Sequence, residues 1–309
     1  MQKSVTVKVP ATTANMGPGF DCLGMALDIW NSIHVEFGHS GMEIEGEGAD
    51  SLPRDDQNLV FACFSKVFEE MGRPIPQVKM VCHNEIPLGR GLGSSAAAVV
   101  GGLAAANHIC GSELSTERLL ELAVEIEGHP DNVTAAMLGG CTIVVKGECG
   151  LVTADVPFPD EISAVLFIPD QPMPTDEARG LLDNQVSRED AVYNIGRTAL
   201  LVRALATGDL SQLAIATEDR LHQPARQSIF FPMKNIFRAA LSAGALGVFL
   251  SGAGSSVLAF ARDREFTIGY EMADAASKSG VEGIIKVTKP SRLGVHVVED
   301  GHGADGATA

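Results

Sequence analysis

The chain has 309 residues, enough for one large domain or two ordinary ones, and its 45% hydrophobic and 20% charged residues describe a globular rather than a disordered protein. A net charge of −16 argues against nucleic acid and acidic membrane surfaces as partners. No stretch reaches the roughly 18 uninterrupted apolar residues of a membrane span, and the opening MQKSVTVKVP alternates like a strand instead of reading as a signal peptide, so a cytoplasmic protein is expected.

In chain order, Val5, Val7 and Val9 alternate with polar residues, and the alternation resumes at Ile33, Val35 and Phe37. Between them the loop ATTANMGPGFDCLGMAL sets Asn15 and Asp21 beside Gly17, Pro18 and Gly19; turn chemistry or ligand contact would each account for them. Residues 46–56 are acidic and turn-rich, and 58–71 have helical spacing at Leu59, Cys63 and Val67. A strand over 78–81 then delivers the chain to PLGRGLGSSAAA, residues 87–98, and a helix of small residues follows as far as Asn107. A glycine-rich turn feeding a helix N-terminus is an anion site by construction, because orphan N–H groups and the positive end of the dipole converge there. A plain tight turn before a core helix fits the glycines equally well.

A third helix is expected over 116–127, with Ser115 as its N-cap and Gly128 as its stop, and it ends in EGHPDN, residues 127–132. Such a polar cluster suits catalysis or a metal, or it is a solvated helix end. A break around Pro157–Asp160 divides the chain, giving expected domains of 1–157 and 158–300 and a disordered tail over 301–309. The second half reads as a strand over 163–168, then PMPTDEARGLL with Thr175 and Arg179 one turn apart, and a helix over 188–206. HQPAR (222–226) follows, then a hairpin over 245–261 around Gly252-Ala253-Gly254, a helix over 264–278 and two closing strands. This order is α+β, not a regular βαβ alternation. Cys22, Cys63, Cys82, Cys110, Cys141 and Cys149 show no metal-binding spacing and are expected to be reduced thiols, most of them in the core.

A Walker P-loop, a G-x-G-x-x-G fingerprint, the protein-kinase H-R-D and D-F-G pair and a G-x-S-x-G elbow are all missing. What remains is specific. The run P-x-x-x-G-L-G-S-S-A-A resembles the central motif of the GHMP kinases, small-molecule kinases named for galactose, homoserine, mevalonate and phosphomevalonate substrates. An N-terminal strand and loop and a C-terminal glycine hairpin, here LSGAGSS over 250–256, stand in the family's order. The segments PATTANMGPGFDCLGMAL, EGHPDN, PTDEAR and HQPAR resemble the branch of that family that acts on L-homoserine, and the likeness runs to about Val298.

The resemblance implies a two-domain fold, with an N-terminal domain like the second domain of ribosomal protein S5 and a ferredoxin-like C-terminal domain. It also implies an ATP-dependent homoserine kinase of threonine biosynthesis. Pro87, Leu88, Gly89, Arg90, Gly91, Leu92, Gly93, Ser94, Ser95, Ala96 and Ala97 would carry the ATP phosphates, with Asn58 in the adenine pocket and Ser94 or Ser95 with Glu127 holding Mg²⁺. Asn15, Asp21 and Asn132 would hold the homoserine amino and hydroxyl groups, Arg179 and Arg226 would clamp its carboxylate, and Thr175 would line the same pocket. Asp131, Asn132 and Thr175 form the implied catalytic group. Relatives pair an Asp at the position of Asp131 with a lysine near the N-terminal motif, but 11–15 contain no lysine, so Asp131 is either a base or the residue that orders Asn132. His129 is read as loop packing, and Ser255, where relatives often have proline, as a small geometric change. Homoserine and ATP are the expected partners, with the chain acting alone or as a homodimer; another kinase of the family, or a non-catalytic sensor on the same fold, is the alternative.

Overall fold

The computed structural model describes residues 4–148 and 150–298; Cys149 and the tail expected over 301–309 lie outside the described residues. The first sheet is built on β1 (Ser4–Ala14) and β2 (Leu23–Phe37), an antiparallel pair with a bulge at Pro10/Ala11, where proline can give no ladder hydrogen bond. Both strands extend further into the intervening loop than alternation suggests, because Leu23 to Leu27 are buried without interruption and a strand covered on both faces shows no two-residue period. β2 is long enough to pair with two neighbours in succession.

β3 (Gly41–Gly46) precedes α1 (Leu59–Glu70) and β4 (Val78–Asn84), and β3 and β4 pair in parallel. Then come α2 (Ser94–Ile109), α3 (Thr116–Glu127), α4 (Asp131–Leu138), β5 (Cys141–Gly147) and β6 (Gly150–Asp155). β4 pairs with the outer part of β2, and β5 pairs with its inner part.

The second sheet starts with β7 (Ser163–Pro169), buried at all seven positions. α5 (Thr175–Gly180), α6 (Arg188–Thr207), α7 (Leu213–Ala216), α8 (Gln223–Arg226) and α9 (Met233–Ala243) follow. The half continues with β8 (Gly247–Leu250), β9 (Val257–Ala261), α10 (Glu265–Ser277) and β10 (Gly283–Thr288). The sheet order β10-β7-β9-β8 is antiparallel throughout, the split β-α-β arrangement called ferredoxin-like. The final strand, β11 (His296–Val298), leaves this unit and pairs with β1.

β7 explains how the halves are joined. Val165 and Phe167 face α9 and α10, while Ala164, Leu166 and Ile168 face the core of the first sheet together with Phe249, Leu258 and Phe260. The protein is thus a two-domain α+β fold whose halves share the larger of two hydrophobic cores, the smaller lying between the second sheet and α9 and α10. The loops above that core are held from both sides.

Candidate active site

The glycine loop is locked by three elements. Gly91 and Gly93 have φ of 73° and 71°, left-handed values that glycine alone adopts freely. A Cβ on Gly91 would run into the Ser251 carbonyl, and one on Gly93 into Thr12 Oγ1. The Thr12 amide donates to the Leu92 carbonyl at 3.1 Å, the Ser251 hydroxyl to the Gly91 carbonyl at 2.6 Å, and the Ser256 amide to the Arg90 carbonyl at 3.1 Å. The Gly252 amide donates to the Ala14 carbonyl at 3.1 Å. N-terminal strand, glycine loop and C-terminal hairpin are one stitched unit.

At its exit Gly93 caps α2 without any side-chain hydrogen bond, and no acidic residue occupies the first turn. The first N–H groups of α2 are therefore open to an anion. The Arg90 side chain does not join them, because it donates to the carbonyls of Leu88, Pro169 and Asp170 and ties the loop to the end of β7. Leu92 and Ala96 turn into the core and can offer a ligand only backbone.

Within the first turn of α2, the exposed Ser95 hydroxyl donates to Glu127 Oε2 at 2.8 Å. Glu127 is the last residue of α3, and Gly128 ends the helix at φ 85°. Burial raises the Glu127 pKa, with the Ser95 bond opposing it, so this carboxylate is short of positive charge. Among the described residues no three His, Cys, Asp or Glu side chains form a metal cluster, so a hard cation here would take most of its oxygens from phosphate and water. The serine hydroxyl and desolvated carboxylate fit such an ion.

The turn after Gly128 leads into α4, where Asp131 is buried and its Oδ1 accepts the Asn132 amide at 2.8 Å. Burial first, and the Asp21 charge second, push the Asp131 carboxyl up to about 7. Asn132 Oδ1 accepts the Thr12 hydroxyl at 2.8 Å and its Nδ2 donates to Asp131 Oδ1 at 3.4 Å, which fixes the amide and leaves its second N–H for a ligand. His129 Nδ1 is buried without a hydrogen-bond partner, 3.8 Å from Asp131, and burial and Arg179 lower its pKa.

The third group is cationic. Arg179, on α5, makes a bidentate pair with Asp21 at 2.6 and 3.1 Å, and this bond outweighs burial to hold its pKa above the ordinary value. Arg226, on α8, is 1% exposed. Its Nη1 donates to His222 Nδ1 at 2.7 Å and to the Gly252 carbonyl at 3.0 Å, while its Nε has no partner. Burial and then Arg179 lower its pKa to about 10, which leaves it charged. Asn15 sits at φ 65°, donates to the Gly252 carbonyl at 3.0 Å and accepts the Asp21 amide at 2.9 Å.

A cavity of about 100 Å³ collects these groups. Asn15, Gly89 to Ser95, Glu127, His129, Asp131, Asn132, Thr175, Arg179 and Arg226 line it, and no lysine does. Asp21 reaches it through Arg179. A second, more apolar cavity of about 420 Å³ shares Gly89, Ser94 and Ser95 and runs past Ile33, Leu52, Leu59 and Val60. Asn58 lines it, but its Oδ1 caps α1 through the Val60 amide at 2.9 Å and its Nδ2 donates to the Pro53 carbonyl at 2.7 Å, so it shapes the wall. Sequence reading passed over Thr12, Ser251, Phe20 and His222. The first two sit in strands or hairpins that read as structure, and the last two adjoin motif residues but carry no spacing signal of their own.

The sequence pattern of the GHMP kinases N-terminal domain matches residues 58–140, and that of the GHMP kinases C-terminal domain matches 201–275. The homoserine kinase of Moorella thermoacetica is 42% identical over 94% of this chain and 99% of that protein. That of Gloeobacter violaceus is 48% identical over 82% of this chain and 86% of its own. The crystal structure of homoserine kinase from Cytophaga hutchinsonii superposes with a TM-score of 0.86 at 29% identity, covering 96% of this chain and 98% of that one. L. major mevalonate kinase, at 17% identity and a TM-score of 0.65, shares the fold. The chain belongs to the GHMP kinase family.

Proposed function

We propose that this protein is an ATP-dependent homoserine kinase, transferring the γ-phosphate to the side-chain hydroxyl of L-homoserine to give O-phospho-L-homoserine for threonine biosynthesis in the cytoplasm. The observation that carries the reading is the single cavity in which an open helix N-terminus, the Ser95–Glu127 pair, Asp131–Asn132 and two arginines meet. The phosphate loop addresses a polyanion, and the apolar cavity beside it takes the adenine. Residues up to about 157 carry ATP, and those from 158 to 298 supply the arginines.

Homoserine is a zwitterion, and the site already holds an ion pair of matching sense. Arg179 and Arg226 take the carboxylate, and Asp21 and Asn15 take the ammonium, so substrate replaces the Arg179–Asp21 contact without leaving a buried charge unpaired. This supports a zwitterionic acceptor over a neutral sugar. On this reading a chain of net charge −16 holds ATP with local dipoles and guanidinium groups in place of bulk field.

In the reaction the homoserine hydroxyl oxygen bonds to the γ-phosphorus, the bond to the β–γ bridging oxygen breaks, ADP departs and the hydroxyl proton is released. Such transfers depend mainly on positioning and charge stabilisation. The Asn132 NH₂, set by Thr12 and Asp131, would donate to the attacking oxygen and fix its line of approach. Thr175, at the first turn of α5, lines the same wall. Mg²⁺ held by Ser95 and Glu127 would neutralise phosphate charge. Glu127→Gln is expected to lower kcat and shift its Mg²⁺ titration to higher concentration while phosphorus NMR still shows a phosphomonoester of homoserine; an unaltered Mg²⁺ titration removes Glu127 from this role.

A further inference from the structure

His222 opens the HQPAR segment, is fully buried, and has no part in the chemistry described above. Its two ring nitrogens are nevertheless both engaged. Nε2 lies 2.8 Å from the Gly17 carbonyl, which can only accept, so Nε2 carries the hydrogen. Nδ1 then presents a lone pair, and the Arg226 Nη1 donor at 2.7 Å uses it. One neutral tautomer satisfies both contacts, and a second ring proton would face a guanidinium. Asp219 lies 3.6 Å away but is occupied, accepting the amides of Leu221, His222 and Gln223 and the Asn194 side chain at 2.7 to 2.9 Å. Asp219 shapes the backbone under His222 and is not its proton partner.

The ring is held on its face as well. Phe20 stacks on His222 with centroids 5.3 Å apart and planes inclined at 26°. The guanidinium carbons of Arg179 and Arg226 stand 5.5 and 5.7 Å from the centroid of that same Phe20 ring. Phe20, His222 and both arginines therefore form one aromatic and cationic block over the loop that carries Asn15 and Asp21.

We propose that His222 is a positioning residue for the acceptor carboxylate: anchored to the Gly17 carbonyl and stacked on Phe20, it holds the Arg226 guanidinium at the angle the carboxylate clamp needs. The inference rests on the homoserine kinase reading and deepens it. Burial and the Arg226 charge, against Asp219, lower the His222 pKa to about 4, which keeps the lone pair available throughout the neutral range. Without that acceptor, Arg226 Nη1 keeps only the Gly252 carbonyl and the guanidinium is free to turn.

The amide isosteres separate the two ring nitrogens. His222→Gln places a donor where Nε2 was and removes the acceptor at Nδ1, whereas His222→Asn places an acceptor oxygen near Nδ1 and gives up the Gly17 bond. In the full-length protein, His222→Gln is expected to raise the homoserine KM about tenfold or more, as leaving a buried donor unpaired does. Its KM for ATP should stay within about twofold, and His222→Asn should recover most of the homoserine loss, with the acceptor restored. In an Arg226→Ala background, His222→Gln should add less than about a further twofold, because the partner it positions is gone. Multiplying penalties in the double variant, a parallel rise in the ATP KM, or His222→Asn as damaging as His222→Gln would each overturn the inference. If His222→Gln does not fold, His222→Asn decides alone: a near wild-type homoserine KM is required. A wild-type chain that does not phosphorylate homoserine defeats the functional reading itself, whereas an active wild type with any of the three contrary results defeats only the role of His222.

Discussion

Arg226 is a charged guanidinium at 1% exposure with a buried Nε that has no protein partner, and a group in that state needs an anion. Replacing it with alanine should therefore weaken homoserine use by about 2 to 5 kcal/mol in kcat/KM, with the ATP KM nearly unchanged. Loss of both substrates together would return Arg226 to a structural role. Asp131 needs a different test, because its carboxyl, pushed to about 7 by burial, is placed to order Asn132 through the backbone amide. Asp131→Asn preserves that acceptor and should lower kcat less than about tenfold, below the roughly 10²- to 10⁴-fold of general-base catalysis. Arg179, Arg226, Asn15 and Glu127 were legible only through the resemblance of their motifs to the GHMP kinases, since spacing alone left turn chemistry or a solvated helix end open, and the cavity brings all four together. Thr12 and His222 were not, since a residue that acts by holding another looks like ordinary strand or turn until the fold brings its partner to it.

At the scale of elements, α2 is the one whose placement decides function. Its start depends on Gly93, where a Cβ would collide with Thr12 Oγ1, and Thr12 also holds the Asn132 amide. Gly93→Ala is thus expected to cost about 1 to 3 kcal/mol of stability from the left-handed backbone and the collision, and to lower kcat along with ATP affinity. Thermal unfolding and ATP titration check it; a variant with weakened ATP binding but unaltered kcat would break the proposed link from loop to Asn132. Helices were readable to within a residue or two, as Ser115 and Gly128 show for α3, and α6, expected over 188–206, runs from a Ser187 cap to Gly208 in the structure. β3, with only Ile44 buried, and the exposed β6 gave little periodic signal, and α4 was hidden because Asp131 to Leu138 is short and follows a proline. β11 could not be assigned to the first sheet from sequence, since its partner β1 lies at the other end of the chain.

Across the whole molecule, two buried groups pull the pH dependence of stability in opposite directions. His222 falls from 6.5 to about 4 on folding, so the unfolded chain binds its proton first and stability is lost as pH drops through that window. Asp131 rises from 3.8 to about 7, so the folded chain keeps its proton longer and stability is lost as pH climbs through that range. The terms oppose each other between about pH 4 and 6.5. Asp131→Asn removes only the second, and the stability difference between variant and wild type should grow in favour of the variant from pH 4 to pH 7, by on the order of 1 kcal/mol per pH unit. A difference that does not change with pH would mean that Asp131 ionises freely in the folded chain. On the proposed reading the buried Arg226 guanidinium, whose Nε has no hydrogen-bond partner, is the group that the acceptor carboxylate satisfies. The most direct test is a coupled ADP-release assay comparing homoserine with 3-aminopropanol, which lacks the carboxylate, and with mevalonate and galactose. The arrangement predicts that homoserine is preferred in kcat/KM by at least about 100-fold and that Arg226→Ala erases most of its margin over 3-aminopropanol; equal use of the two amino alcohols by the wild-type protein, or preference for mevalonate or galactose, would contradict it.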